Sequence, residues 1–331
     1  MRRKGGGKAR KGRIFIEKRV NSPPFIEFFA RLCYDKVMEE QAKQAISSVF
    51  STSVNSLFRV GEGAYGSVYC ANFSAPPFRA AVKVFRGNGD MAKEKLWYSA
   101  LEKAGVKLPQ IYSSYGDNCL IMEYICGVNA SKPPSGCNFA RIGKQAAADI
   151  LKLHSCRGTG YGVISDKGDL DGGRYSSWRE CYKNIASRQY LKIENAARAG
   201  LFSKDVPLLL ENVFLRFDNI FDEPQYPALI HGDLNAENIM INSGAYLCMI
   251  DPINTMWGDP EYELFQLSEN GGARYALIEN YAALRPLSPN YPLKSACYAA
   301  FAEAEWYADI ARPQDALLNK FMANLVIELD K

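Results

Sequence analysis

The chain has 331 residues, enough for two lobes that each bury a core of their own. Its 47% hydrophobic and 23% charged content is ordinary for a globular protein, and no apolar run is long enough for a membrane span. The net charge of +4 is unevenly placed: residues 1–20 hold nine Lys or Arg against Glu17 (+8), leaving 31 basic and 35 acidic side chains (−4) elsewhere. The body therefore gives no reason to expect nucleic acid or a membrane as partner; only the basic tail is a candidate for either, and it is read first as a disordered, solubilising extension. No apolar segment follows that tail, so no secretory signal is expected. Nine scattered cysteines without a Cys-x-x-Cys pair point to a reducing compartment, the cytoplasm. With only His154 and His231, a zinc site is not expected.

After the tail, Asn21-Ser22-Pro23-Pro24 reads as a capped helix start, and apolar residues from Phe25 to Phe50 recur near helical spacing. Residues 21–53 are thus expected to form a helical extension packed on the body. Leu57–Val60 is a short strand running into Gly61-Glu62-Gly63-Ala64-Tyr65-Gly66-Ser67-Val68. Glycines at 61, 63 and 66 let backbone amides approach a phosphate, and Val68 can pack under a purine. Strand-like residues follow, which favours a lid over ATP rather than a dinucleotide turn. Ala80–Phe85 is a strand with Lys83 inside an apolar run. A buried ammonium needs anions, and the α- and β-phosphates plus a helix carboxylate would supply them. The helix pattern from Met91 to Ala104, closed by Gly105, offers Glu94, with Glu102 as a rival. Strands at 109–114 and 118–124 complete a five-stranded sheet by about residue 126. Main-chain groups of Glu123, Tyr124 and Ile125 then lie where an adenine edge would pair.

Beyond residue 126 the pattern turns helical, at Phe139–His154, Trp178–Ala199 and Leu208–Phe221. His154 reads as a packing residue. Ile239–Ile241 and Tyr246–Ile250 then flank Asn242-Ser243-Gly244, a hairpin whose turn residues accept positive φ. Asp233 lies in the loop before this hairpin, Asn238 where its first strand begins, and Asp251 where its second ends. Folding back brings all three to one end. An Asp that can take a hydroxyl proton, beside an Asn and an Asp that can hold Mg²⁺, is the constellation of phosphoryl transfer.

His231-Gly232-Asp233, with Asn238 and Asp251-Pro252, resembles the aminoglycoside phosphotransferase and fructosamine kinase superfamily, where protein kinases carry His-Arg-Asp and Asp-Phe-Gly. The resemblance runs from about Leu57 to the C-terminus. It implies an α+β, two-lobed, protein-kinase-like fold. Residues 54–126 would form a small N-lobe of antiparallel sheet plus helix, and residues 127–331 a larger, mainly helical C-lobe. It implies ATP and Mg²⁺ as cofactors and γ-phosphoryl transfer to a hydroxyl of a small molecule, such as an amino sugar, ketosamine or aminoglycoside. In that scheme Asp233 takes the hydroxyl proton, Lys83 held by Glu94 orients the phosphates, and Asn238 and Asp251 hold the metal. Asp259 would brace the catalytic loop, and Glu263 would be a structural or acceptor-side acid. Trp178 falls in a loop and helix that shape the acceptor pocket in the family, although an isolated Trp is more often core. Asn235 departs from the Trp usual in fructosamine kinases, which weakens that substrate. Two other readings stand beside this one. A protein Ser/Thr kinase suits the complete glycine loop, but there is no room after Asp251 for a long activation segment. A nucleotide-binding pseudokinase scaffold has no residue in its favour. None of these motifs assigns an oligomeric state.

Overall fold

The computed structural model describes residues 24–331 apart from Ala64 and Asn88, with only the backbone of residues 24–35. The expected basic tail and the capping residues Asn21–Pro23 lie outside the described residues. Helix α1 (Pro24–Val49) precedes an antiparallel sheet of β1 (Val54–Gly63), β2 (Gly66–Phe73), β3 (Arg79–Phe85), β4 (Ile111–Tyr115) and β5 (Cys119–Glu123). Their spatial order is β1-β2-β3-β5-β4, with α2 (Met91–Lys103) inserted between β3 and β4. Alternation along β3 divides its side chains between two faces. Ala80, Val82 and Val84 pack with Met38, Ala42, Ala45 and Ile46 of α1, so the extension covers the outer face. Ala81 and Phe85 turn toward Met91 and Tyr98 of α2. Lys83 shares this inner face.

The second lobe begins with β6 (Val128–Asn129), α3 (Phe139–His154), β7 (Gly162–Val163), α4 (Trp178–Arg198), α5 (Asp205–Leu215) and α6 (Phe217–Ile220). There follow β8 (Ala228–Ile230), β9 (Ile239–Ile241), β10 (Tyr246–Met249), β11 (Met256–Gly258), α7 (Leu277–Leu284), α8 (Tyr291–Asp309) and α9 (Ala316–Leu329). Two small sheets, β10-β9-β6 and β7-β11-β8, carry the loops of the site. The molecule is thus the two-lobed α+β fold expected from the motifs, with α2 and the five strands in one lobe and mostly helix in the other.

Local chemistry explains several boundaries. The Asp90 carboxylate accepts from the Lys93 N–H at 3.0 Å and opens α2, while Gly105 (φ +66°) closes it just past the last turn. The segment expected as one helix from Leu208 to Phe221 is two, broken at Arg216. The β9–β10 turn also differs from expectation, because none of Asn242, Ser243 and Gly244 takes a positive φ. Instead Asn242 Oδ1 accepts from the N–H groups of Gly244 (2.9 Å) and Ala245 (2.8 Å), so a side chain closes the turn.

Trp178 is not an acceptor contact. It is fully buried (0% exposed), stacked on Tyr182 and edge-on to Tyr262 and Tyr298 in a large aromatic core. Its indole N–H donates to Tyr298 Oη at 2.9 Å, which satisfies the one polar atom it buries. Replacing it with alanine should destabilise the chain by about 3–5 kcal/mol in urea unfolding. A loss under about 1 kcal/mol would mean that the side chain is not part of this core.

Candidate active site

Lys83 is 8% exposed and stands between two carboxylates. Its Nζ lies 2.6 Å from Glu94 Oε2 and also pairs with Asp251 Oδ1. Burial opposes its charge, but Asp251 and Glu94 outweigh burial and hold the ammonium pKa up. Helix register settles the rivalry for this lysine: Glu94, Tyr98 and Leu101 form the inward face of α2, whereas Glu102 is exposed. Tyr98, one turn after Glu94, accepts the Asp251 backbone N–H at 3.1 Å. Asp251 sits at φ +56°, a left-handed conformation that costs a non-glycine residue energy. One helix face therefore fixes both the lysine and the backbone of the aspartate beneath it. Sequence reasoning missed Tyr98, although the i, i+4 step from Glu94 was visible.

The hairpin brings the other groups together as expected. Met249 pairs with Ile239, and the Ile250 N–H donates to Asn238 O at 2.9 Å, which places Asp251 beside Asn238. Asn238 Nδ2 donates to Asp233 O at 2.7 Å and to Asp233 Oδ2 at 2.9 Å. Asn235 Nδ2 donates to the other carboxylate oxygen at 3.0 Å. Asn235, noted in the sequence only as a departure, thus helps to aim Asp233. Burial, aided by Asp251 and opposed by His231 and the two amides, raises the Asp233 pKa above its ordinary value.

The amide of Asn238 is committed to Asp233, which turns its Oδ1 free of any hydrogen bond among the described residues. Asp251, with a side chain 40% exposed, uses one oxygen on Lys83 and has the other to offer. A hard cation such as Mg²⁺ takes few protein oxygens and completes its shell with phosphates and water. The donor set fits it. Among the described residues no cluster of three or more His, Cys, Asp or Glu could hold a metal by itself.

The bracing of the loop around Asp233 corrects one expectation. Asp259 does not reach it: its carboxylate meets Lys294 at 2.6 Å and Tyr298 Oη at 3.1 Å, deep in the helical half. Glu263 does the bracing. Its oxygens accept from the backbone N–H groups of His231 (3.2 Å) and Gly232 (2.9 Å) and lie 2.7 Å from His154 Nε2. His154 is buried between Glu263 and Tyr281, whose Oη is 2.8 Å from its Nδ1, so it is the packing residue expected. Gly232 (φ +93°) could not be another residue, since a Cβ there would stand 2.1 Å from Ile253 O. His231 Nε2 lies 3.0 Å from Ile250 O, and burial holds its pKa down.

The nucleotide-facing candidates divide. Gly66 is required by the protein's own packing, because a Cβ would meet Val84 O at 2.3 Å. Gly61 and Gly63 border open space or ordinary contacts, so packing does not demand glycine there. Val68, like Tyr124, packs against the inner-face cluster that holds Ala81 and Met122. At the connection between lobes the Glu123 N–H is already given to Gln110 O at 2.8 Å. Ile125 N–H has no such partner among the described residues and remains available.

Burial works against the Glu263 charge, but the bonds from His154, His231 and Gly232 win and lower its pKa below the ordinary 4.5. A depressed folded pKa means that this stabilisation is present above about pH 4.5 and lost as pH falls through the folded value. Thermal midpoints measured from pH 7 to pH 3 should therefore fall less steeply in Glu263→Gln, from a lower starting stability. Parallel profiles would show that Glu263 contributes no such linkage.

A family model for phosphotransferase enzymes (APH) matches residues 58–291, more than two thirds of the chain. No curated protein sequence matches it. Among solved structures, a protein described as a fructosamine-3-kinase from Thermobifida fusca is 19% identical, with a TM-score of 0.67 over 86% of this chain and 97% of its own. A thermostable mutant of aminoglycoside phosphotransferase APH(4)-Ia, solved with AMP-PNP and hygromycin B, is 15% identical (TM-score 0.64, 84% of this chain, 94% of its own). Aminoglycoside 2'-phosphotransferase-IIIa, solved with GDP, is 18% identical (TM-score 0.60, 88% of this chain, 98% of its own). At such identities the neighbours establish the shared kinase-like fold, and the family match supplies the affiliation: the chain belongs to the phosphotransferase enzyme family.

Proposed function

We propose that the chain transfers the γ-phosphoryl group of ATP to a hydroxyl of a small molecule. One arrangement carries this reading: Lys83, held by Glu94, and Asp233, aimed by two amides, converge on the end of the hairpin that also presents Asn238 and Asp251. Lys83 would orient the α- and β-phosphates. Asn238 and Asp251 would hold Mg²⁺, which when bound neutralises charge on the β- and γ-oxygens. Gly61 and Gly63 would let backbone amides close over the phosphates, with the adenine between Val68 and the Ile125 N–H. The acceptor oxygen forms its bond to the γ-phosphorus as the bond to the β,γ-bridging oxygen breaks. The hydroxyl proton passes to Asp233, giving a phosphate ester and ADP.

A protein substrate fits less well. β11 begins five residues after Asp251 and pairs at once with β7 and β8, so the chain has no platform there for an extended peptide.

ADP release with Mg-ATP and a panel of hydroxylated small molecules tests the reading. Asp233→Asn and Asp251→Ala should each lower turnover roughly 100- to 1,000-fold or more. Near-normal rates in either would remove that residue from the chemistry. Gly63→Ala should leave the unfolding midpoint unchanged yet raise the KM for ATP; a variant that loses stability but keeps its KM would reverse that reading. Because Asp233 must be ionised to take the proton, kcat/KM should fall as pH drops through a pKa displaced above the ordinary 3.8.

A further inference from the structure

Asp233 is aimed by two amides, and the two differ in what else they must do. Asn238 donates to Asp233 Oδ2 at 2.9 Å and, in the reading above, gives its own Oδ1 to the metal. Asn235 donates to Asp233 Oδ1 at 3.0 Å, and its Nδ2 serves no other acceptor among the described residues. Its hold on the carboxylate is therefore independent of metal loading, provided that the amide keeps one orientation. An asparagine side chain can turn over, so something must decide which end faces Asp233.

Two donors decide it. Asn235 Oδ1 accepts the Glu237 N–H at 2.8 Å, within a turn that the Asn238 N–H closes on Asn235 O at 3.0 Å. The same Oδ1 accepts from Asn270 Nδ2 at 3.2 Å, so both lone pairs of this oxygen are in use. Turning the amide over would set its N–H groups against two donors and its oxygen against a carboxylate. Nδ2 is left as the only end that can face Asp233.

Asn270 comes from outside the loop, and its place is built in. It lies at φ +52°, where the 3₁₀ segment Leu264–Tyr275 is interrupted at Glu269, Asn270 and Gly271. A left-handed backbone costs Asn less than most residues, because its short polar side chain bonds locally. Gly272 then lets the kink close tightly: a Cβ there would stand 2.1 Å from Leu267 O and 3.6 Å from Ala236 Cβ of the loop. The loop backbone is pinned in turn by Ser131, whose N–H donates to Ala236 O at 3.0 Å. The two asparagines are thus presented to each other by backbone that is held on both sides.

We propose that Asn270 and Asn235 form a relay that positions Asp233, Asn270 fixing the amide of Asn235 and Asn235 fixing the carboxylate. Both are positioning residues that touch no reacting atom. The relay rests on the phosphotransferase reading above and adds a part to it that the metal does not share. Its work is geometric. A carboxylate held at both oxygens cannot rotate about its Cβ–Cγ bond, so the lone pair that takes the hydroxyl proton stays in place for the acceptor.

The test exploits the two ends of Asn235. Asn235→Asp keeps an oxygen for the Glu237 and Asn270 donors but loses the N–H that holds Asp233. With Mg-ATP and an acceptor from the panel above, Asn235→Ala and Asn235→Asp should each lower kcat roughly tenfold or more, with both KM values little changed. Asn235→Asp should also keep the unfolding midpoint of the parent. Asn270→Ala should lower kcat about two- to fivefold, and added to Asn235→Ala it should cost nothing further, since the relay is already cut. A purely structural Asn235 predicts the reverse, with Asn235→Asp as active as the parent and only Asn235→Ala impaired. That result, or losses at the two asparagines that simply multiply, overturns the relay. Side-chain amide NMR of the ¹⁵N-labelled full chain separates the two claims. The Asn235 Nδ2 signal, identified by its absence from Asn235→Ala, should move in both Asp233→Ala and Asn270→Ala. A signal that moves in both while no acceptor is turned over keeps the relay and removes the reaction. One that ignores either variant overturns the relay, whatever the turnover.

Discussion

Lys83 carries its charge in a nearly dry place, and the carboxylates that make this tolerable come from opposite sides of the cleft. Glu94 belongs to α2 of the small lobe; Asp251 follows the hairpin of the large one. A buried ammonium with one partner removed is an uncompensated charge, so the pairing penalises any displacement of α2 relative to the hairpin. Tyr98 adds a neutral tie along the same line, from the same helix face to the backbone of the same aspartate. The lobes are therefore registered against each other at the point where the phosphates would lie, and the rest of the small lobe is arranged to keep α2 there. The outer cover supplied by α1 serves that purpose too, since it makes β3 a strand buried on both faces and fixes the position of Lys83 within it.

On the other side of the cleft the loop around Asp233 has almost no regular structure, and its shape comes from side chains aimed at its backbone. Glu263 takes two consecutive N–H groups, Gln266 Oε1 takes that of Leu234 at 3.0 Å, and Gly232 lets the neighbouring strand connection press against it. The segment 259–266 is in turn moored to α8 by Lys294, which is buried among Asp222, Asp259 and Glu261. Order thus passes inward from a helix in the core to the loop, through carboxylates that are each almost fully committed.

Much of this was legible in the chain before folding. The spacing of Asp233, Asn238 and Asp251 foretold that they would meet at one end of the hairpin, and the single lysine in the run Ala80–Phe85 that it would need carboxylate partners. Helix limits such as those of α2 and α3 followed from apolar periodicity, helped for α2 by the closing Gly105. What escaped has a common physical cause: it depends on which side chain reaches across to which backbone. Asp259 and Glu263 are both acids in one short segment, and nothing local says which of them turns toward the loop. Trp178 fitted the position of a pocket residue, and only the surrounding Tyr182, Tyr262 and Tyr298 reveal that it is core. Asn242 likewise closes its turn with its side chain rather than with the positive φ that its identity permits.

The short run from Asp251 into β11 has a consequence for timing. In this structure the pairing of Lys83 with Glu94 and the braced shape of the catalytic loop are both in place, and the strand that leaves the site is already hydrogen-bonded into a sheet. No long segment between them waits to be folded by a modification. The geometry around Lys83 and Asp233 is therefore reached when the described residues fold, with no inserted segment between Asp251 and β11 left to order first.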